Sequence, residues 1–310
     1  MVGRPPARSG TPDSKPKTPP VTAHRYLQLD VFAPRPGTGN PLGVVFDADN
    51  LSAGAMQALA AWLNLSETVF FVAPTAPGAD YHIRIFTPAS ELPFAGHPSV
   101  GAAWAAVTGG LAIPRNGALL QQCAAGLLPV RVEGPHTAPT IHLASPTARR
   151  CVVDPGQLPA SLHVLGGPAQ IAELWDNGPR WWLLAARDAA AVRGLRPDMG
   201  ELRDWTNATE ATGVAIYAPE HADGHDLVVR AFCPGDAVNV PEDPVTGSAN
   251  ALIASVLAQR RHLPGRDDRY IASQGREVGR DGRVHLYVDD AGVAWIGGQV
   301  QPVIDGTVHW

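Results

Sequence analysis

The sequence predicts an α+β protein of two similar halves, each a mostly antiparallel sheet around one apolar helix. Three observations carry this. A twenty-residue stretch occurs twice; two helix-prone runs, 100–107 and 248–257, are apolar on nearly every side; and short β-rich runs broken by Gly and Pro fill much of the rest.

The repeat sets the frame. Residues 84–103 and 230–249 align without a gap at an offset of 146 (230 − 84). Arg84, Phe86, Pro88, Pro98, Gly101 and Ala103 match Arg230, Phe232, Pro234, Pro244, Gly247 and Ala249. In this register His97 stands opposite Asp243, a titratable pair at corresponding points of two half-molecules, and a site is expected between them. The likeness extends outward: Met56, Leu59 and Trp62 share the spacing of Met199, Leu202 and Trp205, and residues 69–74 resemble 214–219.

A chain of 310 residues, 45% hydrophobic, can fill two cores. With a net charge of −5 and its 24 Lys and Arg scattered, it offers no basic field for nucleic acid. Cys123, Cys151 and Cys233 form no CxxC pair and leave an odd count, which points to a reducing compartment and a cytoplasmic protein. No apolar run approaches the roughly 20 residues of a membrane helix, and the N-terminus lacks a signal-peptide core. Residues 1–23, rich in Pro, Thr, Ser and basic residues, are expected to form a disordered tail. The Gly134-Pro135 break places the domain boundary at 135/136, giving 24–135 and 136–298 as the two halves.

Taken in order, a strand is expected from Arg25 to the turn at residues 33–37, and a second after Gly39-Asn40-Pro41. Leu51-Ser52 opens a helix with Met56, Leu59, Ala60 and Leu63 on one face. Residues 69–72 and 81–86 read as antiparallel neighbours, the buried helix follows Gly96-His97-Pro98, and two more strands lie near 119–122 and 128–132. The second half repeats this grammar and ends in short strands punctuated by glycines.

Each copy of the repeat puts Gly, Pro and a titratable side chain just ahead of an apolar helix. Exposed N–H groups and the helix dipole make such a start attractive to carboxylates, so two of them face to face would hold a small anion. An Asp before Pro is ordinarily a cap and a lone His is ordinarily structural. Only their joint placement makes a site. His221 and His225 have the spacing of a helical metal pair but enclose Ala-Asp-Gly between two strands, so they read as an exposed turn; no metal site is expected. Trp181-Trp182 reads as core or interface, and Cys233 as packing.

Gly39-Asn40-Pro41, Leu65-Ser66-Glu67-Thr68, Phe94-Ala95-Gly96-His97-Pro98, residues 242–249 (Glu-Asp-Pro-Val-Thr-Gly-Ser-Ala) and 273–280 occur in the order and approximate spacing of the PhzF-like family, named from phenazine biosynthesis. From Arg25 to Trp310 the chain resembles that family. The resemblance implies a diaminopimelate-epimerase-like fold of two pseudo-symmetric, curled, barrel-like half domains with the site in the cleft, and a last strand (299–310) returning to the first domain. It implies that Glu67 moves a proton on the substrate, that His97, Asp243 and Ser248 position or polarise it, and that Asn40, Gly96, Pro98, Thr246 and Gly247 contact it. It implies an isomerase without cofactor acting on a small carboxylate of secondary metabolism, such as antibiotic biosynthesis, and a homodimer. Elimination or cyclisation after the same proton abstraction, or silent binding of a small molecule, are the alternatives. Asn250 and the Pro-rich stretch before Gly39 depart from the family pattern beside the pocket.

Overall fold

The computed structural model describes residues 21–166, 172–235 and 241–310. Most of the expected tail, residues 1–20, lies outside them. Residues 21–23 are tied down: Thr22 and Trp310 exchange backbone hydrogen bonds of 2.9 Å, and Ala23 opens the first strand.

The first half runs β1 (Ala23–Val31), β2 (Asn40–Val45), α1 (Ala53–Leu63), β3 (Glu67–Val72), β4 (Tyr81–Phe86), β5 (Glu91–Leu92), α2 (Gly96–Thr108), β6 (Ala118–Cys123), β7 (Gly126–Glu133) and β8 (Thr140–Ala144). The second runs β9 (Arg149–Cys151), β10 (Glu173–Asp176), β11 (Arg180–Ala185), α3 (Ala189–Gly194), α4 (Met199–Ala208), β12 (Gly213–Ala222), β13 (His225–Phe232), β14 (Glu242–Asp243), α5 (Gly247–Gln259), β15 (Arg269–Gln274), β16 (Gly282–Val288) and β17 (Ala294–Gly298), after which β18 (Val300–His309) returns to pair with β1 of the first half.

All these strands form one open, curled sheet. From one edge it reads β18-β1-β2-β3-β4-β6-β7-β8, then β17-β16-β15-β13-β12-β11-β10-β9, with β5 and β14 as short additions to β4 and β13. The antiparallel β8–β17 pair joins the halves, and the order is the same read outward from it in either direction. β8 lies beyond residue 135 yet also continues the first sheet through β7. The sheet is mostly antiparallel, as expected, but each half also carries two parallel pairings, β2–β3 and β4–β6, repeated as β11–β12 and β13–β15. A helix between two strands returns the chain to its starting edge, and that makes the pair parallel.

Strand pairing also corrects the register of the repeat. Thr68 faces Phe86 as Val214 faces Phe232, and Val69 faces Ile85 as Ala215 faces Ala231, so the offset through these strands is 146 (214 − 68). Beyond them it changes. Phe86 faces Glu91 while Phe232 faces Glu242, and α2 and α5 begin at Gly96 and Gly247, so the offset becomes 151 (247 − 96). Three residues, 88–90, stand in one copy where eight, 234–241, stand in the other. The true counterparts are therefore Glu91 and Glu242, Pro93 and Pro244, Gly96 and Gly247. His97 corresponds to Ser248, and Asp243 to Leu92. The matches of Pro98, Gly101 and Ala103 with Pro244, Gly247 and Ala249 are coincidences of helix-start composition.

The outer helices obey the same frame. Ser52 caps α1 by accepting from the N–H of Ala55, and Asp198 caps α4 by accepting from Gly200 and Glu201. α1 buries Met56, Leu59 and Ala60 against Phe70 and Phe86; α4 buries Leu202, Trp205 and Thr206 against Trp182 and Phe232. Those triplets differ by 146, whereas the offset of 143 between Met56 and Met199 fails: Trp62 is 71% exposed while Trp205 is buried. α2 and α5 lie inside, packed in one core that runs through both halves. Their lack of a polar face fits that place, since only a helix covered all round can be apolar all round.

Candidate active site

α2 and α5 begin without side-chain caps, at Ala95 and Thr246. They meet head to head: a Cβ added to Gly96 would sit 3.6 Å from the Cα of Gly247, and one on Gly247 would sit 3.5 Å from that of Gly96. Ile296 of the joining strand β17 packs beneath, 3.0 Å from either added carbon. Glycine at both positions lets the two backbones approach this closely. The first-turn N–H groups left without a cap converge on a cavity of about 270 Å³ between the halves.

Asn40, Glu67, Gly96, His97, Asp243, Thr246, Gly247 and Ser248 all line this cavity, so eight of the nine expected site residues come together. Pro98 does not line it. It is buried in the first turn of α2, where a missing N–H costs nothing.

Glu67 opens β3, held in parallel register beside Leu42 of β2. Its Oε2 lies 3.4 Å from Nε2 of His97, and both atoms are buried without a hydrogen-bond partner. Burial, then the charge of Asp243, push the Glu67 carboxyl up from its ordinary 4.5 to about 8, against a smaller pull from the Ser66 hydroxyl. Burial pushes His97 down to about 3. The imidazole is thus neutral near pH 7, and its contact with Glu67 is dipolar rather than an ion pair. Two orphaned buried polar atoms 3.4 Å apart are costly in an apolar setting and mark the place where a polar group of a ligand fits.

Asp243 is better satisfied. Its Oδ1 accepts from Asn40 Nδ2 at 3.0 Å and from the N–H of Val245 at 3.3 Å; its Oδ2 accepts from the Thr246 hydroxyl at 2.8 Å. Burial still outweighs these donors and raises its pKa. Asn40 also donates to the carbonyl of Val245 at 3.0 Å and accepts from Ser66 at 3.2 Å, so one amide ties β2 of the first half to the loop ahead of α5 in the second.

Ser248 accepts a hydrogen bond of 3.1 Å from the indole N–H of Trp181. Since indole can only donate, the Ser248 proton is left free to point into the cavity. The sequence reading missed Trp181, yet strand alternation separates it from Trp182: Trp182 stacks on Trp205 in the outer core at 4.7 Å, so its neighbour faces the other way, toward α5. Cys233, read as packing, lines the cavity with Thr87, its counterpart in the repeat. Its thiol is held well above the usual range by burial, then by Asp243 and Glu67. Asn250 lies behind the wall, fully buried, bonded to the carbonyl of Thr246 at 2.8 Å. His225 is buried and pairs with Glu220 at 2.7 Å, which corrects the exposed-turn reading for that residue. Among the described residues no group of three His, Cys, Asp or Glu side chains could hold a metal, and no helix is long and apolar enough to cross a membrane.

A cleft between duplicated half domains, floored by two opposed helix N-termini and carrying two buried carboxyls of raised pKa, defines an enzyme of the isomerase and epimerase class. The chain belongs to the phenazine biosynthesis-like (PhzC-PhzF) family, whose profile matches residues 29–304. It is 36% identical over 272 residues, 87% of this chain and 92% of the other, to trans-2,3-dihydro-3-hydroxyanthranilate isomerase of Pseudomonas aeruginosa. It is 32% identical over 297 residues, 92% of this chain and 99% of the other, to a Schizosaccharomyces pombe protein named antisense-enhancing sequence 1. Its fold matches the crystal structure of the Bacillus anthracis PhzF-family phenazine biosynthesis protein with a TM-score of 0.79 at 23% identity, covering 93% of this chain and 99% of that one.

Proposed function

We propose that this enzyme moves a proton along the carbon skeleton of a small unsaturated carboxylate of secondary metabolism, with Glu67 as its single acid/base and no cofactor. The observation that carries the reading is the orphaned Oε2 of Glu67 facing the orphaned Nε2 of His97 in a cavity floored by two uncapped helices. The substrate carboxylate sits against the N–H groups of Gly96, His97, Gly247 and Ser248. Ionised Glu67 takes a proton from a C–H bond, the electron pair delocalises into the conjugated system, and the protonated Glu67, whose acid proton exchanges with solvent, delivers a proton to a second carbon on that face. No net oxidation occurs, so acid/base groups suffice. A carboxyl poised near 8 can act in both directions close to neutral pH. Neutral His97 and the Ser248 hydroxyl stabilise the intermediate anion. Cys233 is the one cysteine lining the cavity, so a pair of opposed thiols is not available there. The name of the Pseudomonas aeruginosa relative suggests the substrate class, a hydroxylated dihydroaromatic amino acid.

In heavy water, wild type is expected to place deuterium in such a substrate, and Glu67→Gln to lower that exchange about a thousandfold while still binding the substrate. Undiminished exchange in the variant would remove Glu67 from its role. A wild-type protein that binds the carboxylate and exchanges nothing would be a binding protein.

A further inference from the structure

Behind the cavity wall, Gln274 closes β15 and is 1% exposed. Both ends of its amide are engaged with one loop. Oε1 accepts from the N–H of Thr246 at 3.1 Å and from Asn250 Nδ2 at 2.9 Å. Nε2 donates to the carbonyl of Asp243 at 2.9 Å and to Oγ1 of Thr246 at 3.0 Å. A backbone N–H only donates and a carbonyl only accepts, so the amide has one permitted orientation. The Thr246 hydroxyl, already an acceptor from Nε2, must send its own proton to Oδ2 of Asp243, 2.8 Å away.

The arrangement belongs to one half only. At the offset of 151, Asp243, Thr246 and Gln274 correspond to Leu92, Ala95 and Cys123. The shared fold therefore forms without any member of this chain of hydrogen bonds. The loop also sits tightly: a Cβ on Gly275 would come within 2.5 Å of the Pro244 carbonyl, and one on Gly282 within 2.4 Å of Val245.

We infer that Gln274 is a positioning residue for the proton transfer proposed above, acting through the Thr246 hydroxyl to hold the Asp243 carboxylate in place beside Glu67. The inference rests on that reading of the site. Gln274 fixes the direction of the hydroxyl, the hydroxyl fixes Oδ2, and Asn40 from the other half fixes Oδ1. The remaining titratable groups acting on or near Asp243 are Glu67, Glu242 and Cys233.

The link is tested by following the Asp243 carboxyl carbon by NMR against pH in the free protein, beside substrate-dependent deuterium exchange. Gln274→Met keeps the length of the side chain but removes both its donor and its acceptor, so the Thr246 hydroxyl is no longer directed to Asp243. Gln274→Met and Thr246→Val are each expected to raise the Asp243 midpoint and to lower kcat about tenfold with KM within about twofold. Thr246→Ser keeps the wild-type midpoint, and the double variant Gln274→Met with Thr246→Val is no worse than either single one. A wild-type midpoint in Gln274→Met, or effects of Gln274→Met and Thr246→Val that multiply, overturns the inference. Thr246→Val leaves Gln274 in place and tests the same link should a Gln274 variant fail to fold. If wild type exchanges no proton with any candidate carboxylate, the isomerase reading fails while the carboxyl titration still decides the relay.

Discussion

The two halves share their strand order, their buried helix and the glycine at its start, yet the chemistry is divided unevenly between them. Glu67 corresponds to Gly213, His97 to Ser248, and Leu92 to Asp243. The common scaffold supplies what a carboxylate needs from either side, two sets of unspent N–H groups. The differences place Glu67 and His97 on one wall and Asp243 and Ser248 on the other. Under the proposed mechanism Glu67 alone carries the proton and returns one to the face from which it came, whereas opposed identical groups would serve inversion.

The arginines of the repeat show the same divergence in energetic form. Arg84 and Glu91 form a bidentate pair at 2.7 Å whose side chains are 28% and 35% exposed. Arg230 and Glu242 form the equivalent pair buried, and Arg230 also donates to the carbonyl of Leu195 at 2.7 Å. Removing Arg230 strands a buried carboxylate, so Arg230→Met is expected to cost about 3–5 kcal/mol in urea unfolding, against about 1 kcal/mol or less for Arg84→Met. Equal costs would mean that the two pairs are still interchangeable.

A smaller effect separates the Glu67 wall from its counterpart by pH. The folded Glu67 carboxyl titrates near 8 rather than its ordinary 4.5, so between those values the folded chain keeps a proton that the unfolded chain has lost. Its contribution therefore falls as pH rises through that window. Glu67→Gln is expected to gain on wild type by on the order of 2 kcal/mol between pH 5 and pH 8.5 in denaturant midpoints. His97 works in the opposite sense at lower pH: burial holds it neutral down to about 3, and stability is lost as pH falls below 6.5. A constant gap between variant and wild type across the range would show that Glu67 is not buried as described.

The smallest effect concerns the second wall. Trp181→Phe keeps an aromatic ring but removes the donor that orients Ser248 together with part of a buried indole, so kcat is expected to fall about tenfold at a stability cost of about 1 kcal/mol. An unchanged rate would show that the Ser248 hydroxyl needs no outside direction.

Much of this was legible in the residues. The duplication, the two all-apolar helices and the residues that share the cavity follow from composition, spacing and family motifs. The break in register did not, because Gly, Pro and Ala recur at any buried helix start and gave three false matches at the unshifted offset. Only the strand partners of Glu91 and Glu242 separate true from false. The parallel pairings were hidden for a related reason: a strand's composition records its burial and says little about its direction. Gln274 acts from behind the wall and Trp181 from within it, through hydrogen bonds between residues 28 and 67 positions apart, which no local pattern records.

The pairing of β1 with β18 carries one more consequence, for the timing of folding. Tyr26 faces Gly306, and Arg25 meets Asp305 across 280 positions of chain. During synthesis the first half emerges with its edge strand unpartnered and its capless helix facing nothing, and it waits for nearly the whole chain before either is matched. Such long-range closure is slow. Among the described residues none lining the cavity lies on β18, so the edge of the first half closes only after every one of them has been synthesised.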